Sequence, residues 1–258
     1  MQSIAEALSS MMPAFSTLGE EEVPLLEAVG RYLSRDVTAR FDSPSFDNSA
    51  MDGYAVRAED VATADNGAPV RLEVRGESRA GGPLPGELAP GTACRIFTGA
   101  TMPPGSDAVV IQEDTEREGD FVDVLEASET GKHVRARGSD VRSASLLLPR
   151  GERLLPGELG ILASQNVESA FVYRRPTVAL LSTGDELRQL GDVIGPGSIV
   201  NSNVYVLAEM LRHVGVDPIA YPAAPDVLPD IEAALRKALE ADVVITMGGV
   251  SVGEYDLV

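Results

Sequence analysis

The stretch that decides the fold is VALLSTGDEL, Val178–Leu187. Its first half is a continuous apolar run, the pattern of a strand buried on both faces. Its second half is an acidic loop with a glycine. Downstream, Val204, Leu207, Leu211 and Val214 recur at helical spacing. PIAYPA (218–223) reads as a second strand. Leu228, Ile231, Leu235 and Leu239 mark a second helix, and DVVITM (242–247) a third buried strand. The order β-α-β-α-β predicts a parallel sheet with crossover helices, placing the chain in the α/β class.

Toward the N-terminus the texture changes twice. Val70, Leu72 and Val74 alternate with Arg71, Glu73 and Arg75, which predicts a half-buried strand. CRIFTGA (94–100), DAVVIQED (107–114), DFVDVLEA (120–127) and KHVRAR (132–137) are further short strands between Gly and Pro turns. Residues 45–136 therefore read as β-rich. Before them, Ile4, Leu8 and Met11 or Met12 predict a helix over 3–15. Leu26, Val29 and Leu33 predict another over about 23–37. Pro156 sits at a plausible first helical position ahead of GELGILASQN. No internal repeat or low-complexity linker is present.

Composition narrows the function. The 258 residues carry a formal charge of −19, which opposes broad attraction to nucleic acid or an anionic membrane. No apolar run reaches the length of a membrane span. The opening MQSIAEALSSMMPAF lacks the basic lead of a secretion signal, so a cytoplasmic address is the default. The single Cys94 excludes an internal disulfide and a thiolate metal cluster, and reads as a small core residue. An anionic ligand must be held locally. Backbone N–H groups are one means; the patch of Lys132, His133, Arg135, Arg137 and Arg142 is another. The chain stops at GGVSVGEYDLV, where a Gly-rich loop has just left the third strand, so the expectation is a piece of a longer protein.

Open parallel sheets bind ligands beyond the carboxyl ends of their strands. Three loops leave those ends: STGDEL with Asp185 and Glu186, APD with Asp226, and GGVSVGEYD with Ser251, Glu254 and Asp256. Glycines there let a phosphate approach backbone N–H groups, and carboxylates supply hard oxygens for Mg²⁺. For any one loop alone, turn formation and helix capping are the better account; three such loops on one rim bring the functional reading level with it. There is no Walker-type lysine, and GDVIGPG is only a loose dinucleotide fingerprint. SFDNSAMDGYAV (45–56) packs Asp47, Asn48, Ser49 and Asp52 around a tight turn expected at Asp52-Gly53. Thr98 follows a short strand and reads either as a phosphate contact or as a strand-end residue. Asp140 lies between Arg137 and Arg142, where a solvated ion pair is the simpler reading. His133 and His213 have no ligand spacing, and no Ser/His/acid set is evident.

FDNSAMDGYAV, RIFTGATMPPGSDAVV, ARGSD, LLSTGDEL and GGVSVGEYD occur in the order seen in the molybdopterin molybdenumtransferase family. That family includes bacterial MoeA and the E domain of gephyrin. The resemblance runs from about Leu26 onward. It implies an elongated domain built from residues 1–44 and 137–172, a β-rich domain at 45–136 inserted between them, and a three-layer α/β molybdopterin-binding domain at 173–258, incomplete here. It implies Mg²⁺-dependent insertion of molybdate into adenylylated molybdopterin with release of AMP. Tungstate in place of molybdate is not distinguished. Carried onto this sequence, the catalytic positions are Asp52, Thr98, Asp140, Glu186, Asp226 and Asp256. Glu186, Asp226 and Asp256 are the metal ligands. Ser182, Thr183, Gly184, Asp185, Gly248, Gly249, Ser251 and Gly253 bind the pterin nucleotide. The resemblance further implies a homodimer with a composite site, Asp52 facing the partner's pocket while Phe46 and Met51 anchor its loop by burial. A molybdopterin adenylyltransferase is a possible upstream partner. Two readings compete: a gephyrin-type scaffold and a molybdopterin adenylyltransferase. The family's Lys-Pro-Gly-Lys-Pro and Pro-Gly-Asn-Pro segments are absent from this sequence.

Overall fold

The computed structural model describes residues 3–248 and 258. It divides into two compact units, one of Met1–Arg35, Arg150–Ala163 and Val167–Val258, the other of Asp36–Pro149 and Ser164–Asn166. The first unit opens with α1 (Ile4–Met11), started by a capping box in which Ser3 and Glu6 satisfy each other's backbone N–H. None of its residues is buried. β1 (Glu20–Pro24) follows. The helix expected over 23–37 is not formed. Leu25–Glu27 make a single 3-10 turn, Leu26 is 89% exposed, and only Leu33 of the supposed stripe is buried.

The second unit holds a six-stranded sheet of β2 (Gly53–Val56), β3 (Val70–Ser78), β4 (Thr92–Ile96), β5 (Ala108–Ile111), β6 (Thr115–Glu118) and β7 (Phe121–Val124). Its order is β5-β2-β4-β3-β7-β6, antiparallel except between β3 and β4. Both faces of β2 are buried. Tyr54 and Val56 pack with Ala93, Ala108 and Val110, while Ala55 packs with Cys94, Ile96 and Val109. That split is the two-residue alternation of a strand between two cores. Cys94 is thus the small core residue expected.

The chain returns to the first unit with α2 (Pro156–Ser164), whose first residue is the expected proline, and β8 (Ser169–Tyr173), which pairs antiparallel with β1. Then come β9 (Val178–Ser182), α3 (Asn203–His213), β10 (Ile219–Ala220), α4 (Leu228–Ala238) and β11 (Val243–Met247). The sheet order is β10-β9-β11, all parallel, as the periodicity predicts. Every residue of β9 is buried. Val178 and Leu180 meet Val204, Leu207 and Leu211 of α3, whereas Leu181 meets Ile231 and Leu235 of α4. The two helices therefore cover opposite faces. Val214 and Leu239 lie past the helix ends and are exposed. No helix among the described residues is long and apolar enough to cross a membrane.

Candidate active site

The parallel sheet carries two of its three acidic loops in the described region, and backbone hydrogen bonds tie them together. Thr183 N–H donates to Met247 O at 3.0 Å, and Gly184 N–H to Ala224 O at 3.1 Å. Asp185 and Asp226 then clasp each other. Asp226 N–H donates to Asp185 Oδ1 at 3.1 Å, and Asp185 N–H donates to Asp226 Oδ2 at 3.3 Å. Each carboxylate thus holds the other loop's backbone, satisfying a donor that a strand-to-helix turn leaves open. Ser182 is buried and accepts from Asn201 Nδ2 at 3.0 Å, linking the rim to the segment that enters α3.

Two glycines allow close packing at this rim. Gly184 has φ +147°, and a Cβ there would lie 2.6 Å from a carboxylate oxygen of Glu186. Gly248 has φ +91°, and a Cβ there would lie 2.6 Å from Thr183 O. Neither position admits another L-residue without movement. Beside Gly248 the Thr183 hydroxyl is 4% exposed at the residue level and has no hydrogen-bond partner among the described residues. Such a group costs stability unless an occupant of the rim satisfies it.

No group of three or more acidic, His or Cys side chains with metal-binding geometry occurs among the described residues. Mg²⁺ needs fewer, since it commonly takes one or two carboxylates and completes its shell with phosphate oxygens and water. Glu186, folded over the Gly184 backbone, and half-buried Asp226 are hard oxygen donors beside a glycine cradle, so they fit that ion. Gly249, Ser251, Gly253, Glu254 and Asp256 lie outside the described residues.

The other expected residues sit in the second unit. Thr98 donates to Asp52 Oδ1 twice, from its N–H and from its Oγ1, each at 2.8 Å. These two bonds, with the Arg95 charge behind them, hold the Asp52 carboxyl below the usual carboxylate range. Thr98 thus binds Asp52 itself. Asp140 lies on a separate exposed loop, its N–H donating to Ser43 O at 3.0 Å and its Oδ1 accepting from Ser139 Oγ at 3.2 Å. The ion pair expected there forms elsewhere: Arg137 Nε donates to Asp42 at 2.6 Å, and Arg137 N–H to Asp47 Oδ1 at 2.7 Å.

Two expectations for the Asp52 loop are corrected. Phe46 and Met51 are exposed rather than anchoring by burial, and the loop is fixed instead by polar contacts, including Ser49 Oγ to Met51 O. Gly53 is not a positive-φ turn residue. It starts β2, where a Cβ would lie 2.0 Å from Val110 O. Asn201, Arg95 and Gln112 were not singled out from sequence. Asn201 sits in NSN between a short strand and a helix, a pattern that could have flagged it.

A family model described as "MoeA N-terminal region (domain I and II)" matches residues 2–166, and one described as "Probable molybdopterin binding domain" matches residues 179–258. The chain is 43% identical over 256 residues to a molybdopterin molybdenumtransferase of Nostoc sp., covering 98% of this chain and 59% of that protein. It is 39% identical over 248 residues to the molybdopterin molybdenumtransferase of Bacillus subtilis, covering 94% and 58%. A crystal structure of the molybdopterin biosynthesis MoeA protein from Pyrococcus horikoshii OT3 superposes with a TM-score of 0.88 at 34% identity, covering 95% of this chain and 65% of that one. The chain spans less than two thirds of the length of each of these relatives.

Proposed function

This chain belongs to the MoeA family of molybdopterin molybdenumtransferases, and on that premise we propose that it serves molybdenum cofactor biosynthesis by inserting molybdate into adenylylated molybdopterin with release of AMP. The observation that carries the reading is the glycine-lined rim at the carboxyl ends of β9 and β11. That rim carries the Asp185–Asp226 clasp, the Glu186 carboxylate over Gly184, and the Thr183 hydroxyl, which has no partner among the described residues.

The substrate's phosphoanhydride is the anionic part to be held. The Thr183 hydroxyl beside Gly248 offers it a hydrogen bond. Glu186 and Asp226 would hold Mg²⁺, with Asp256 as the third ligand by resemblance. When bound, the ion offsets phosphate charge. Asp226 also keeps its loop in place through the Asp185 N–H. Asp52 is held ionised by Thr98, so it acts as an acceptor or ligand and not as a proton donor. By resemblance it serves the pocket of a second copy in a homodimer, and a molybdopterin adenylyltransferase supplies the substrate.

Calorimetric titration of this chain with AMP, with and without Mg²⁺, tests the rim. AMP should bind more tightly when Mg²⁺ is present, and Asp226→Asn should remove the difference. Equal affinity in both conditions would eliminate the metal-bridged rim.

A further inference from the structure

We propose that Arg95 is a positioning residue for Asp52: it fixes the main chain from which the Asp52 carboxylate is offered, leaving Oδ1 on Thr98 and Oδ2 for the ligand. The inference rests on the reading of Asp52 as a functional carboxylate.

Arg95 lies in β4, and Thr98 follows three residues on, so one strand and its continuation supply both groups that control Asp52. Arg95 Nη1 donates to Gly53 O at 3.2 Å, and Nη2 donates to Gln112 Oε1 at 2.8 Å. Gln112 N–H in turn donates to Asp52 O at 3.1 Å. The carbonyls of Asp52 and Gly53 are thereby held from two neighbouring segments of the sheet. Thr98 closes the third side by occupying Oδ1, and Oδ2 accepts no hydrogen bond among the described residues.

Arg95 is itself held in place. Its guanidinium carbon lies 5.1 Å from the centre of the Tyr54 ring and 4.9 Å from that of Phe97, both within cation–π range. It makes no ion pair with a carboxylate among the described residues, although the chain carries 40 acidic residues. Its donors go to a carbonyl and an amide instead. A planar fork suits two acceptors at fixed angles, which the single-point ammonium of lysine does not. Its charge also favours the ionised Asp52 carboxylate.

The test is a carbon-13 titration of aspartate carboxyl groups in this chain, with the Asp52 signal assigned by its loss in Asp52→Asn. In Arg95→Gln the Asp52 midpoint should move to higher pH and the Thr98 amide proton should lose its downfield shift, while the other aspartates stay put. Arg95→Lys should restore the midpoint only in part, because it returns the charge without the fork. Gln112→Ala, which removes the Arg95 anchor and leaves both Asp52 and Arg95 intact, should move the Thr98 amide in the same direction. An unchanged Thr98 amide in Arg95→Gln, or full recovery of both signals in Arg95→Lys, would overturn the positioning role. If Arg95→Gln does not fold, Arg95→Lys and Gln112→Ala decide by the same signals. Activity of Asp52→Asn in a protein of the relatives' full length judges the underlying reading separately: an active variant sinks the role of Asp52, whatever the titrations show for Arg95.

Discussion

Gly53→Ala should be the most damaging single-methyl substitution in the six-stranded sheet. The added Cβ would lie 2.0 Å from Val110 O and 2.9 Å from Val110 C, where ordinary contact begins at 3.4 Å. The overlap exceeds an ångström, and the obstructing atoms are backbone, so no rotamer change relieves it. β2 and β5 must separate, yet Gly53 pairs with both Ile111 and Ile96, and β2 is buried on both faces. Overpacking of this kind costs about 3 kcal/mol when the surroundings cannot yield. With a urea slope of roughly 1–3 kcal/mol per molar, the midpoint should fall by about 1–3 M. The chain has no tryptophan, so circular dichroism and amide exchange of β2 and β5 are the practical probes. Gly86→Ala is the control, because no atom lies within 4 Å of its Cβ and its φ is unexceptional. That change should be neutral or slightly stabilising. A Gly53→Ala protein within about 0.5 kcal/mol of wild type would refute the steric argument.

Two further outcomes follow. Asp242 accepts from Arg174 through two bonds and from Thr177 N–H and Oγ1, and these contacts hold its carboxyl far below the ordinary aspartate range. A lowered folded value means the stabilisation is complete above the ordinary range and is lost as pH falls through the folded value. Urea midpoints of the parallel-sheet unit should therefore decline on acidification below the ordinary aspartate range, and Asp242→Asn should flatten that decline; an identical slope in both proteins would reject the assignment. Light scattering at low micromolar concentration should give twice the monomer mass, since the helical face of Ile4, Leu8 and Met11 is exposed on the isolated chain, and a monomer mass would count against the shared-site proposal.

What the sequence revealed follows the range over which each signal acts. Strand β9 and its two helices were legible because burial on both sheet faces writes itself into local periodicity. The segment around Leu26 misled for the converse reason. Its helical spacing is real, but the chain there is shaped by pairing with β8 and by bridges such as Leu33 to Val172, partners about 140 residues away. Gly53 misled similarly. The dipeptide Asp-Gly signals a turn, whereas the carbonyl that forbids a side chain comes from Val110, on another strand. The acidic loops at the rim were visible as composition. Their reciprocal clasp and the burial of the Thr183 hydroxyl were not, since both depend on how separate segments meet. Arg95 left no trace beyond one basic residue in an alternating strand.

The pairing of β1 with β8 has a consequence for how the protein is made. Glu20–Pro24 leaves the ribosome well before Ser169–Tyr173, with the whole inserted sheet translated in between. At ordinary elongation rates the strand waits roughly ten to thirty seconds for its partner. An unpaired strand edge invites association with other nascent chains. Three consecutive glutamates, Glu20, Glu21 and Glu22, give this one a repulsive charge throughout the wait. Glu20 and Glu21 find their partners Arg35 and Arg31 within the same early stretch, and Glu22 accepts from Ser169 Oγ only once the late segment arrives. A side chain that holds the finished sheet edge, Glu22, thus helps keep it solitary during synthesis, while the intervening unit has time to fold first.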